Sequence, residues 1–350
     1  MDVLLIANPN STTQSDALFR QIIPRLREVP ELHLCARFTH YPGHAEQMVR
    51  GLRRTDYELI IVVGGDGTLN EVINGLLGPV TDDNTSAFHP SHIPALAVIP
   101  TGSANVFARA LGFPADPVAA ALDLAVLIEG DFRRTICLGT WNHRWFAVNA
   151  GFGIDADVIA RIERARAKGF SASPLRYLAV SLRTWFDAQR CPPAISAWAR
   201  DRQGGELELH QVPLCLASNT NPWTFLGPLP VVTNPRNSFD RGLSMFVLRD
   251  LRGIKGVLAM VHLIGIGHRR WLEELIRDHT IQFDDIVELE LRCEGPQRFQ
   301  ADGEFEGEWD YIRLATVPDA IEVMAPQYIP ESTSRSWRVW LKNTLRLLRN

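Results

Sequence analysis

The sequence predicts an α/β domain built on a parallel sheet, followed by a domain of short antiparallel strands. Three observations carry this. Three fully apolar runs in the first third each end in a polar or glycine-rich loop and lead into a helical pattern. Beyond residue 133 the runs become shorter and are separated by turn residues. The length of 350 residues gives room for two cores, at roughly 150 residues per domain.

The elements follow in chain order. Val3 to Ala7 ends in Asn8-Pro9-Asn10-Ser11, and Ala17, Leu18, Ile22, Ile23 and Leu26 then recur at helical spacing. Leu59 to Val63 ends in Gly64-Gly65-Asp66-Gly67-Thr68, before Leu69, Val72, Ile73 and Leu76. Ala95 to Ile99 ends in Pro100-Thr101-Gly102-Ser103 and continues as a helix over 104–111. Apolar strands alternating with helices imply a parallel sheet covered on both faces, with its ligand beyond the carboxyl ends of the strands. This first domain is expected over 1–133.

Over 134–330 the runs are Thr135 to Leu138, Trp145 to Asn149, Ala194 to Ala199, Leu207 to Leu209, Val212 to Ala217, Leu243 to Leu248, Ile281 to Phe283, Val287 to Leu291 and Ile321 to Ala325. They read as an antiparallel β domain whose final strand is free to return to the first domain. Helical stretches are expected at 156–167 with 175–189, and at 253–277. In 331–350, Trp337, Trp340, Leu341, Thr344, Leu345 and Leu348 share one helical face, while Arg335, Arg338, Lys342, Arg346 and Arg349 lie mainly on the other. Such a basic amphipathic helix suits either attachment to an anionic membrane surface or docking on protein.

Composition narrows the function. The 36 Lys and Arg against 40 Asp and Glu leave a net charge of −4, which speaks against a globally basic nucleic-acid binder. Five cysteines (Cys35, Cys137, Cys191, Cys215, Cys293) are widely spaced, so reduced thiols are expected rather than a disulfide framework or a zinc knuckle. The amino end has no basic leader, and no apolar stretch approaches the roughly 20 residues that span a bilayer. A cytoplasmic chain that visits the inner membrane face is the expectation.

The loop Gly64 to Thr68 carries the chemistry. Its glycines let backbone N–H groups approach an anion, Thr68 adds a donor, and a helix amino end stands behind them. A phosphate suits it; a tight turn without ligand is the alternative. The loop is neither a Walker A sequence nor a dinucleotide fingerprint. Gln300-Ala301-Asp302-Gly303-Glu304 reads as a strand-end turn, either aimed at a site or simply an acidic surface turn.

Taken together, Gly64 to Gly75 (Gly-Gly-Asp-Gly-Thr-Leu-Asn-Glu-Val-Ile-Asn-Gly) and Ile99 to Leu111 (Ile-Pro-Thr-Gly-Ser-Ala-Asn-Val-Phe-Ala-Arg-Ala-Leu) resemble the diacylglycerol kinase catalytic family. That family includes bacterial lipid kinases and sphingosine kinases. Asn8-Pro9, Asn149 to Val158 and Asp302-Gly303-Glu304 extend the match in the family order. The resemblance implies a nucleotide-binding domain like those of phosphofructokinases and NAD kinases, then a β-sandwich domain, with the active site in the cleft between them. It implies ATP and Mg2+ as cofactors and a lipid hydroxyl as acceptor. By resemblance, Gly64, Gly65, Gly67 and Thr68 hold phosphates, and Asn8, Thr39, Gly102 and Ser103 line the nucleotide pocket. Asp302 matches the catalytic base, Asp66 matches the carboxylate linked to magnesium, and Glu304 is a further candidate carboxylate.

The chain departs from the family at three points. Val106 and Cys137 stand where many members carry the other two aspartates of a water-mediated magnesium network, and Thr12 replaces a glycine of the first loop. Two alternatives to a lipid kinase therefore stay open: a weak or inactive lipid-binding protein with the kinase fold, and an NAD kinase. The lipid itself and the oligomeric state are left undetermined by the sequence.

Overall fold

The computed structural model describes residues 1–326 except 12, 14, 82–87, 154–155, 159–160, 162–179, 181–182, 185–186, 188–191, 228, 252–257 and 260–276. The tail 331–350 and almost all of the helical stretches expected near 156–189 and 253–277 lie outside the described residues. The chain forms two compact units. The first is Met1–Ala147 with the segment that returns from Val317, and the second is Val148–Thr316.

The first unit contains, in order, β1 (Asp2–Ala7), α1 (Asp16–Arg27), β2 (His33–Phe38), α2 (His44–Val49), β3 (Leu59–Gly64), α3 (Asp66–Leu77), β4 (Ala95–Pro100), α4 (Val106–Ala110), α5 (Pro117–Glu129), β5 (Arg133–Trp141) and β6 (Arg144–Phe146). β1 to β4 pair in parallel in the order β2, β1, β3, β4. The interior strands β3 and β4 are buried along their whole length, which is why they read as unbroken apolar runs. α1 begins where Ser15 Oγ accepts from Leu18 N–H at 3.2 Å. It buries Leu18, Ile22 and Leu26, one turn apart, each contributing roughly 1.5–3 kcal/mol. α1 packs against α5, and α2 against α3.

The hairpin β5–β6 belongs to this unit. Side chains of α3 hold it. Asn74 Oδ1 accepts from Trp145 N–H at 3.0 Å, and the side-chain amides of Asn70 and Asn74 donate to Trp145 O at 3.0 and 3.1 Å. The indole N–H of Trp145, fully buried, donates to Gly78 O at 2.7 Å.

The second unit contains β7 (Asn149–Gly153), β8 (Ile195–Asp201), β9 (Glu206–Val212), β10 (Leu214–Ser218), β11 (Thr224–Leu226), β12 (Leu229–Val231), β13 (Leu243–Leu248), β14 (Thr280–Ala301) and the first part of β15 (Glu304–Met324). Its pairings with described register are antiparallel and close a ring: β7 with β10, β10 with β13, β13 with the start of β14, and the end of β14 with β7. β8 lies along the middle of β14 and β9 beside β8. Alternate residues Leu214 and Leu216 of β10 and Phe246 and Leu248 of β13 join one apolar cluster with Val158, Val231 and Leu251.

Two strand boundaries differ from the sequence expectation. Ile281 to Phe283 and Val287 to Leu291 are parts of one 22-residue strand. Its register to β15 shifts between Arg292 and Gln297, where Pro296 cannot donate to a ladder. The run Trp145 to Asn149 spans two strands, broken at Ala147-Val148. At the far end of β15, Val323 pairs with Leu96 of β4 in parallel, and Glu322 meets Arg54 at 2.6 Å. The first unit thus gains a fifth parallel strand.

Candidate active site

In the first unit the carboxyl ends of β1, β2, β3 and β4 bring the predicted nucleotide residues together. Asn8 N–H donates to Val63 O at 3.1 Å, and Thr39 N–H to Ala7 O at 2.9 Å. The Asn8 side-chain amide donates to Thr68 Oγ1 at 3.1 Å. Thr68 is buried against Gly64, where an added Cβ would lie 2.9 Å from Thr68 Cβ. Gly65 is the residue before α3, so the first-turn N–H groups of Asp66, Gly67 and Thr68 have no acceptor within the helix and present an anion-binding end.

The loop after β4 lies on that end. A Cβ on Gly102 would stand 2.7 Å from Gly65 Cα, so the two loops touch backbone to backbone. Gly102 is clamped by Asn105, whose Oδ1 accepts from Gly102 N–H and whose amide donates to Gly102 O, both at 2.8 Å. Asn105 takes a left-handed φ of 49°, a conformation that asparagine tolerates better than most residues. Ser103 is exposed at the tip.

Asp66 has a second task that the sequence did not reveal. Its Oδ2 accepts from Val106 N–H at 2.9 Å and its Oδ1 from Phe107 N–H at 3.0 Å, so the carboxylate caps α4. Burial pushes this carboxyl above its ordinary value, while those N–H groups and Arg109 pull it down. Burial draws the Arg109 guanidinium down to about 10, opposed by Asp66. The donor set does not fit the three-carboxylate magnesium network that the resemblance implied. Val106 and Cys137 occupy the other two positions, both buried, and both Asp66 oxygens already accept backbone N–H groups. Among the described residues no three His, Cys, Asp or Glu side chains gather as a metal site. Asp66 thus caps α4.

Glu71, one helical turn further along α3, was also missed as a contributor. Its two oxygens accept from Gly43 N–H at 2.8 Å and Ala45 N–H at 3.0 Å. It thereby ties the segment after Thr39 to the helix behind the phosphate loop. Helices α2 and α3 cross at Gly75, where a side chain would strike the backbone of Glu46.

In the second unit Asp302 and Gly303 are the two central residues of the β14–β15 hairpin, closed by the pair Ala301 and Glu304. Their φ values of 51° and 80° are those of a type I′ turn, for which Asp-Gly is a preferred pair. Asp302 is buried and not an acidic surface turn. Its Oδ1 accepts from Val148 N–H at 2.7 Å and Asn149 N–H at 3.2 Å. Glu304 is exposed. The described cysteines Cys35, Cys137, Cys215 and Cys293 are free thiols, and burial pushes Cys215 up to about 12.

Glycine-lined strand ends in backbone contact, with a helix amino end behind them, form a surface of the kind that suits an anion. Residues 2–162 match the model of the diacylglycerol kinase catalytic domain. It is 37% identical to a diacylglycerol kinase of Staphylococcus carnosus over 145 residues, 41% of this chain and 42% of the relative. It is 40% identical to a diacylglycerol kinase of Bacillus subtilis over 111 residues, 32% of each chain. A probable lipid kinase YegS-like of Chromohalobacter salexigens is 32% identical over 157 residues, 45% of each. The chain spans less than half the length of these relatives. Two solved structures from Bacillus anthracis share the fold over 94% of this chain. A diacylglycerol kinase has TM-score 0.64 at 20% identity with 98% of its own chain covered, and a putative diacylglycerol kinase has 0.68 at 23% with 96% covered.

Proposed function

We propose that this chain is an ATP-dependent lipid kinase that transfers the γ-phosphoryl group to a hydroxyl of diacylglycerol or a related lipid. The observation that carries the reading is the backbone contact of Gly65 with Gly102 within a diacylglycerol kinase catalytic domain, because a phosphate chain needs two such side-chain-free surfaces. In this reading Gly64, Gly65, Gly67 and Thr68 cradle the phosphates, while Asn8, Thr39, Gly102 and Ser103 line the nucleotide. Asp302 accepts the proton of the acceptor hydroxyl as its oxygen bonds to the γ-phosphorus, and the bond from that phosphorus to the bridging oxygen breaks to release ADP. Two backbone N–H groups on one oxygen fix the carboxylate's orientation for that task. Glu304 contributes charge at the rim. Magnesium enters as the counter-ion of the nucleotide, not as a resident of the chain.

No helix among the described residues is long and apolar enough to cross a membrane. Residues 332–350 are assigned to peripheral contact with anionic lipid on their amphipathic pattern. One experiment tests both parts: transfer of labelled phosphate from ATP to vesicles holding diacylglycerol and anionic lipid. Wild type, Asp302→Asn and a chain lacking 332–350 are compared. Transfer is expected from wild type, with a fall of about 100- to 10,000-fold in Asp302→Asn while ATP binding persists, and weaker vesicle binding without the tail. Wild type that binds vesicles but phosphorylates no lipid would instead support the inactive lipid-binding alternative.

A further inference from the structure

We infer that Gln300 is a positioning residue for Asp302, an inference that rests on Asp302 being the base of the proposed transfer. Gln300 is fully buried two residues before the turn, and Asn149 is buried beside it. The Gln300 side-chain oxygen accepts from Gly303 N–H at 3.0 Å, and its amide donates to Asn149 Oδ1 at 2.8 Å. Asn149 passes the constraint on in two directions. Its backbone N–H donates to Asp302 Oδ1 at 3.2 Å, its carbonyl accepts from Asp302 N–H at 2.8 Å, and its side-chain amide donates to Trp223 O at 3.0 Å.

One amide therefore holds both sides of the carboxylate: the turn that carries it and the strand whose N–H groups orient it. A buried amide in this place must have both its donor and its acceptor satisfied, so it admits one arrangement of turn and strand. The turn needs such a restraint. Asp302 sits at positive φ, a conformation costly for a side-chain-bearing residue unless its surroundings impose it. Charged groups near the turn are Glu304, exposed at the start of β15, and Arg298 on β14, which pairs with Asp157 and Glu308. β7 contributes none.

The test is phosphate transfer from ATP to phosphatidylcholine vesicles containing diacylglycerol, followed from pH 5 to 9 with the full chain. Wild type is compared with Gln300→Glu and Gln300→Met, with melting temperature and ATP binding measured for each. Gln300→Glu keeps an acceptor for Gly303 N–H, loses the donor to Asn149 and adds a negative charge beside the turn. The acid limb of its kcat profile is expected to move up by about one pH unit, with KM for ATP unchanged because the nucleotide residues belong to the other unit. Gln300→Met, which removes both hydrogen bonds without adding charge, is expected to lower kcat on the order of 10-fold and leave the limb in place. A Gln300→Glu profile that superimposes on wild type overturns the assignment. So does loss of folding in both variants, which would make Gln300 a folding residue rather than a positioning one. Failure of the underlying reading has its own signature: Asp302→Asn would then retain transfer whatever the Gln300 variants do.

Discussion

Replacing Gly102 by alanine adds one methyl group where the loops after β3 and β4 touch backbone to backbone. The new Cβ would lie 2.7 Å from Gly65 Cα and 2.8 Å from Asn105 Oδ1, against the ~3.5–4.0 Å at which carbon atoms settle. The shortfall from Gly65 is about 1 Å, and because the opposing atom is backbone, no rotamer change relieves it. The loops after β3 and β4 must part, and the Asn105 clamp on Gly102 goes with them. Overpacking of this kind costs roughly 1–3 kcal/mol, and each lost hydrogen bond adds about 0.5–1.5 kcal/mol. A displacement near 1 Å is expected to reduce transfer on the order of 100-fold. Urea unfolding and ATP titration read the two effects, with Gly51→Ala as control. Gly51 has a positive φ of 79° but nothing within 4 Å, so alanine there costs about 1 kcal/mol in backbone strain and leaves ATP affinity intact. A Gly102→Ala chain with wild-type stability and wild-type ATP affinity would refute the idea that the two loops act as one surface.

Two further outcomes follow from the same unit. Asp66→Asn keeps an acceptor for only one of the two α4 N–H groups and should cost about 1–2 kcal/mol. Because burial raises the Asp66 carboxyl in the fold, the native state holds its proton more tightly than the unfolded chain does. Wild-type stability from this group is then greatest below the ordinary carboxyl value and declines as pH rises through the raised one. The stability gap between wild type and Asp66→Asn should therefore narrow with rising pH in urea titrations, and a gap that widens would contradict the assignment. Glu71→Gln leaves one of the Gly43 and Ala45 N–H groups without its acceptor. It should weaken ATP binding severalfold and lower stability by about 1 kcal/mol, with lipid KM unchanged in the vesicle assay.

The legible parts of the fold are those whose environment imposes a simple pattern. β1, β3 and β4 are buried on both faces and read directly as apolar runs, whereas β2 is an edge strand exposed along nearly its whole length and offers no such run. β14 reads as two runs because Asp284-Asp285 interrupts its apolar pattern, and only its pairing with β13, Met245 with Phe283 and Leu243 with Ile286 across a register shift, shows the interruption to be a bulge. At the candidate site Gly64, Gly65 and Gly102 stand out in the sequence because the close backbone approach they permit is a local property. The supporting side chains do not: Asp66 acts 40 residues away, Glu71 acts 28 residues back, and Gln300 acts on Asn149 across 151 residues. One signal was available and stronger than it was taken to be, since Asp302-Gly303 is the pair that a two-residue hairpin favours.

The path of β15 has a consequence for how the chain must be made. The parallel sheet of the first unit is completed by a strand that ends at Met324, some 180 residues after the unit's own first segment closes at Ala147. During synthesis the first unit emerges one strand short, with the outer edge of β4 open and Arg54 waiting for Glu322. An uncovered apolar edge is a template for pairing with another chain. The whole second unit must therefore be threaded out before the first can finish, and cutting the gene at the boundary the sequence suggests would deliver a domain with an adhesive seam.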